Sequence, residues 1–165
     1  MPRWINSDGL LVKSGPEEAA VSKAGSFEDL VGNEHIVEAI ISYNQFEAFG
    51  TDTVLSDTLT IPDGSRITSA QIYVDTAFTS GGSATLKVGF LRTDRSNAYD
   101  DDGLVASTAV ASLTSGATIT GAGALVNTTL AYDGLLTATV GTANFTAGKA
   151  RIIVKYYKST SGTHA

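Results

Sequence analysis

The sequence predicts an all-β protein: an antiparallel two-sheet sandwich, jelly-roll-like, with an extended N-terminal arm. Three observations lead to this fold class. From His35 onward, short apolar runs alternate with a period of two. Turn residues interrupt these runs every ~8–12 residues, the spacing of sandwich strands. The helices that a parallel α/β sheet needs between its strands are missing. Residues 1–33 show neither period, so the chain divides into an arm, 1–33, and a β-sandwich domain, 34–165.

The arm holds two apolar patches, Trp4-Ile5 and Leu10-Leu11-Val12, set among Gly, Ser, Pro and charged residues. Pro16 to Lys23 has the composition for a turn or two of helix with Pro in first position, confined by Gly15 and Gly25. The first sandwich strand is expected from His35 to Tyr43, a β-branched run. A second follows from Thr53 to Ile61, with Leu55, Asp57, Leu59 and Ile61 on one face; Pro62-Asp63-Gly64 turns the chain after it.

Alternation is clearest from Arg66 to Phe78, where Ile72, Val74, Thr76 and Phe78 share one face and Gln71, Tyr73, Asp75 and Ala77 the other. Ser80-Gly81-Gly82-Ser83 then reads as a hairpin turn into the strand of Leu86, Val88 and Phe90. A charged loop is expected over Arg92 to Gly103. Further strands are expected at Leu104 to Leu113, Ala124 to Leu130, Leu135 to Val140 and Arg151 to Lys158, with Asp133-Gly134 as a hairpin turn between two of them.

Composition narrows the function classes. At 165 residues the chain fits one domain. Seventeen acidic against eleven basic residues give a net charge of −6, which repels phosphate backbones and argues against a nucleic-acid partner. Without cysteine there is neither a disulfide nor a thiolate zinc site, so stability must come from packing, oligomerisation or docking. No run approaches the ~18 apolar residues of a membrane-crossing helix, and no membrane partner is expected. Asn6, Ser7, Asp8 and Gly9 interrupt any apolar leader, so export through a cleaved signal is not expected.

Catalytic raw material is scarce. His35 and His164 are the only histidines, too few for a multi-histidine metal site, and His35 reads as a boundary residue beside Glu34. Asp100-Asp101-Asp102-Gly103, with Asp94 nearby, offers oxygen ligands of the kind Ca²⁺ takes, but not at EF-hand spacing; a loop neutralised by Arg92 and Arg95 fits better. Tyr99, Tyr132, Tyr156 and Tyr157 have faces that could stack on sugars, yet alternation sends one of Tyr156 and Tyr157 inward and the other outward. Gly121-Ala122-Gly123 lacks the helix and Lys-Ser/Thr of a phosphate loop and reads as a turn. Lys149, Arg151, Lys155 and Lys158 make the last strand basic, fit to register a neighbour or to block edge pairing. A sandwich hydrolase would need two facing carboxylates from among Glu47, Asp57, Asp75 and Asp133. No enzyme, cofactor or metal is expected.

The arm carries the functional expectation. About thirty extended residues reach ~100 Å, enough to cross onto an adjoining subunit. Burying Trp4, Ile5, Leu10, Leu11 and Val12 on a partner and folding them back onto the sandwich are equally open on physical grounds.

Several segments bear a family resemblance. They are Pro2-Arg3-Trp4-Ile5-Asn6-Ser7-Asp8-Gly9-Leu10, Glu17 to Gly25, Leu59-Thr60-Ile61-Pro62-Asp63-Gly64-Ser65-Arg66-Ile67, Val74 to Phe78 and Ser83 to Gly89. They resemble small structural proteins of tailed bacteriophages, in particular head decoration (cement) proteins of podovirus-like phages, over roughly residues 1–90. The resemblance implies a sandwich on the exterior of an icosahedral capsid in the virion, made in the host cytoplasm. There it would bridge and stabilise major capsid protein subunits and act as a homo-oligomer. Trp4, Ile5, Leu10, Leu11 and Val12 would anchor the arm. The alternative from another class is a receptor- or glycan-binding module of a phage fibre or tail.

Overall fold

A computed structural model describes residues 3–5, 11–13, 34–46, 48–56, 60–95 and 98–158. The chain forms two compact units, Met1–Asn33 and Glu34–Ala165. In the first, β1 (Arg3–Ile5) pairs antiparallel with β2 (Leu11–Lys13), Trp4 opposite Val12 and Ile5 opposite Leu11. The apolar patches that show no period in sequence thus form a minimal hairpin, because three-residue strands are too short to display alternation. The Pro16 to Lys23 helix lies outside the described residues.

Among the described residues, the second unit has nine strands: β3 (Glu34–Ser42), β4 (Asp52–Val54), β5 (Thr60–Ile61), β6 (Ser65–Ser80), β7 (Thr85–Arg92), β8 (Ala98–Ala109), β9 (Thr118–Thr120), β10 (Gly134–Gly141) and β11 (Phe145–Lys158). Two short 3-10 turns, Tyr43–Gln45 and Val110–Ser112, follow β3 and β8. One sheet has the order β3-β11-β6-β9; the other has the order β4-β10-β7-β8, with β5 also on β10. All pairings are antiparallel.

This order has a simple origin. β7 pairs with β8, β6 with β9, β4 with β10 and β3 with β11, so the chain is one long ribbon doubled back at the β7–β8 turn. Successive lengths of the ribbon lie in alternate sheets, which gives the antiparallel two-sheet sandwich expected.

Period-two alternation places the core. From the first sheet come Val37, Ala39 and Ile41 of β3, Ile67, Ile72, Val74 and Phe78 of β6, and Ala150, Ile152, Val154 and Tyr156 of β11. Leu86, Val88 and Phe90 of β7 and Leu136, Ala138 and Val140 of β10 join them from the second sheet in one buried cluster. β10 is buried on both faces, Leu135, Thr137 and Thr139 included, and accordingly reads as a near-continuous apolar run. Tyr156 points inward and Tyr157 outward, as alternation requires.

Several local expectations change. The Ser80 to Ser83 turn does not close a hairpin: β6 and β7 lie in different sheets, and the turn carries the chain between them. Thr53 to Ile61 divides into β4 and β5, which pair with different stretches of β10; Asp57 and Leu59 lie outside the described residues. Ala124 to Leu130 is a turn-rich crossing segment whose backbone bonds Ser65 and Ile67, with a single bridge from Thr129 to Arg66. Asp133-Gly134 therefore joins this segment to β10 without a hairpin. The expected loop from Arg92 to Gly103 ends early, since β8 starts at Ala98.

β11 bends where its register against β6 slips between Ala147 and Lys149. Gly148 sits at the slip with φ 132°, a conformation closed to side-chain-bearing residues, and its hydrogen faces the Phe78 ring so closely that a Cβ would overlap it. Gly148→Ala is expected to cost about 3 kcal/mol, strain and overpacking combined. Urea denaturation should show a lower midpoint with an unchanged slope.

Candidate interaction surfaces

Among the described residues, the chain's chemistry is spread over its surface. Six large apolar side chains are exposed: Ile36, Ile40, Tyr43, Phe49, Tyr132 and Tyr157. Four of them follow the outer face and ends of β3. Ile36 and Ile40 lie on that face, Tyr43 follows the strand, and Tyr157 stands opposite Glu34 at its start. Pairing with β11 sets Ile36 opposite Lys155, Glu38 opposite Ile153 and Ile40 opposite Arg151. Arg151 is engaged by Asp75 at 3.1 Å across the same face. β11 lies between β3 and β6, so its basic residues do not guard an edge; β3 borders the sheet beside it and carries no Lys or Arg.

The acidic run lies on the other sheet. Val88 pairs with Val105 and Phe90 with Asp100, so residues 101–104 of β8 bulge opposite the single residue Gly89. The bulge presses the backbone of Asp100 and Asp101 onto Gly89, leaving no room for a Cβ there. Lys87 forms an ion pair with Asp101. Carboxylate oxygens of Asp100, Asp101 and Asp102 come within 4.8 Å of one another.

Desolvation raises the Asp100 pKa above the ordinary carboxylate value, and its side-chain hydrogen bond and like charge with Asp102 push the same way. Folding thus disfavours the ionised form, and Asp100 costs stability once the pH exceeds the carboxylate range. Asp100→Asn should raise the melting temperature by a few degrees near neutral pH. The gain should vanish below the ordinary carboxylate value, where Asp100 is protonated in the folded and unfolded chain alike. Melting curves of both proteins across that window test this.

The structure also joins two tyrosines that sequence spacing left apart. Tyr99, near the start of β8, meets Tyr132, before β10, edge to face with ring centroids 5.6 Å apart. The Arg92 guanidinium covers the Tyr132 ring at 3.8 Å, and the Tyr99 hydroxyl accepts a bond from the Ala131 N–H. Both tyrosines lie near the end of the sheet where β7 and β8 turn, which only the strand pairing reveals. With Arg92 occupying one face of Tyr132, the ring is a poor platform for stacking a sugar. Beside them is a cavity of about 260 Å³ lined by Asp63, Arg92 and Asp133 among others.

The carboxylates weighed for hydrolysis are engaged elsewhere. Asp75 pairs with Arg151 on the outer face of the first sheet, whereas Asp133 accepts the Asp63 N–H at 2.8 Å at a turn. Glu47 lies outside the described residues, as does Asp57. His35 is partly buried and stacks on Tyr156 with centroids 5.1 Å apart, the boundary position expected. Gly121 to Gly123 leads into a turn at 124–127 and does not form one itself; the N–H groups of Gly121 and Gly123 bond the Ala70 and Leu104 carbonyls. Of the residues expected to anchor the arm, Trp4 and Ile5 fall on β1 and Leu11 and Val12 on β2, while Leu10 lies outside the described residues.

No protein-family model and no curated protein matches the sequence. Solved structures do. A chain in the capsid of Ralstonia phage GP4 aligns with TM-score 0.58 and 17% identity, over 79% of this chain and 87% of that one. A chain in the acidic stable capsid structure of Helicobacter pylori bacteriophage KHP30 aligns with TM-score 0.53 and 17% identity, over 75% and 86%. A chain in the cyanophage Pam1 capsid asymmetric unit aligns with TM-score 0.53 and 17% identity, over 76% and 84%. At that identity the likeness is one of fold: this chain has a sandwich also found in chains of three phage capsid structures.

Proposed function

We propose that this chain is a structural protein of a phage virion that binds the outside of an icosahedral capsid and stabilises it by bridging major capsid subunits. The observation that carries the proposal is the sandwich itself, which recurs over three-quarters or more of this chain in chains of three separate phage capsid structures. Asp75, Asp133 and His35 are each engaged separately, in an ion pair, a turn and a ring stack.

The arm supplies the attachment in this reading. Trp4, Ile5, Leu10, Leu11 and Val12 dock on a neighbouring subunit. A ligand that binds the finished shell better than its precursors stabilises it by mass action. Many copies on one shell add avidity to a modest single contact.

Purified heads stripped of decoration provide the test. The full chain is expected to co-sediment with them and raise their melting temperature; a chain beginning at Asn33 should fold but fail to bind. Trp4→Ala should weaken binding about thirtyfold, the loss of one aromatic anchor worth about 2 kcal/mol. Failure of the full chain to bind heads, together with binding to host cells or their glycans, would replace the capsid reading by a fibre or tail module.

A further inference from the structure

Four strands border the two sheets of the sandwich, and three are poor templates for further pairing. β9 and β4 have three residues each, and β5, which extends the β4 edge, has two. The rest of β6 is covered by segment 113–130, whose backbone bonds Ile67, Ala70, Val74 and Phe78. β8 is long, but it swells at residues 101–104 and carries three consecutive carboxylates. Shortness, bulges, covering segments and charge are the devices by which sheets avoid joining other sheets.

β3 is neither short nor bulged, no described segment pairs beyond it, and its charges are the carboxylates of Glu34 and Glu38. It runs nine residues in unbroken register with β11, contains no Pro, Lys or Arg, and exposes Ile36 and Ile40 by 59% and 56%. Among the described residues, no strand pairs with its other side.

The spacing along β3 indicates what fits that edge. On the outer face, Ile36 and Ile40 stand two residues to either side of Glu38; on the inner face, Val37 and Ala39 flank it. A surface that meets its own copy across a two-fold axis must be self-complementary, and this pattern is symmetric about Glu38. An antiparallel copy centred there places Ile36 opposite Ile40 of the second copy and Val37 opposite its Ala39. We propose that β3 pairs in this way with β3 of a second copy, joining two four-stranded sheets into one of eight.

One element opposes the pairing. Glu38 meets Glu38 of the second copy on the axis, and directly opposed like charges are unfavourable. A nine-residue edge also buries less than the ~1,600 Å² of a standard stable interface. The dimer is therefore weak and concentration-dependent.

The chain has no cysteine, so introduced thiols report on this geometry cleanly. Opposed residues of antiparallel strands have Cα atoms ~5 Å apart, within disulfide range, whereas Ile36 and its own counterpart would be roughly 14 Å apart. Sedimentation of the full chain without capsids should show dimers at high concentration, and Glu38→Gln should tighten them by up to about fivefold. Mild oxidation should cross-link Glu38→Cys with itself and Ile36→Cys with Ile40→Cys, but not Ile36→Cys with itself. Ile36→Lys and Ile40→Lys, both at exposed positions, should fold and sediment as monomers.

A wild-type monomer at every concentration would overturn the proposal. So would dimers that survive both lysine substitutions, a Glu38→Cys chain that dimerises without cross-linking, or self-cross-linking of Ile36→Cys. These measurements use no capsid, so they stand or fall separately from the proposed function.

Discussion

The last strand of the sandwich must be inserted between two strands made much earlier, and the rest of the architecture depends on that insertion. β11 pairs along nine residues with β3 and along most of its length with β6. Until it arrives, the inner face of the first sheet lacks Ala150, Ile152, Val154 and Tyr156, the row that closes the core between Val37 to Ile41 on one side and Ile67 to Val74 on the other. Contacts this distant in sequence carry a large loop-closure cost before they return any stability. The strong alternation of β11 and its burial at the sheet centre offset that cost.

This dependence separates what the sequence made legible from what it did not. Alternation is a local signal, so it identified the strands with inward rows, β3, β6, β7, β10 and β11, and the opposite fates of Tyr156 and Tyr157. Pairing is a long-range property, and local turn chemistry misled where it was taken as evidence for it. Gly81-Gly82 has the flexibility of a hairpin turn, but here that flexibility serves a change of sheet. Asp133-Gly134 has hairpin composition, yet the segment before it bonds β6 across the sandwich end and the strand after it pairs with β4, β5 and β7.

Side-chain clusters follow the same division. The Asp100 to Asp102 run was visible as a charge feature, but its partner Lys87 lies on another strand, and the bulge that hosts it exists because Gly89 admits the opposing backbone. Tyr99 and Tyr132 meet only because β8 and the approach to β10 end on the same side of the second sheet. The β3 edge was half legible: its apolar content was evident, whereas its place at the border of the sheet came from topology alone.

The same register that seats β11 beside β3 sets Glu34 opposite Tyr157, so the sandwich begins and ends at neighbouring points of one sheet. At the other end of these strands Ser80 faces Phe145, the Ser80 hydroxyl donates to the Asn144 carbonyl, and the connections are tight turns. The sandwich therefore has a polarity. One pole carries the start of β3 and the end of β11, and the opposite pole carries the turns after β6 and β10, where a foreign peptide could be displayed without passing through the strands at which the ribbon starts and finishes.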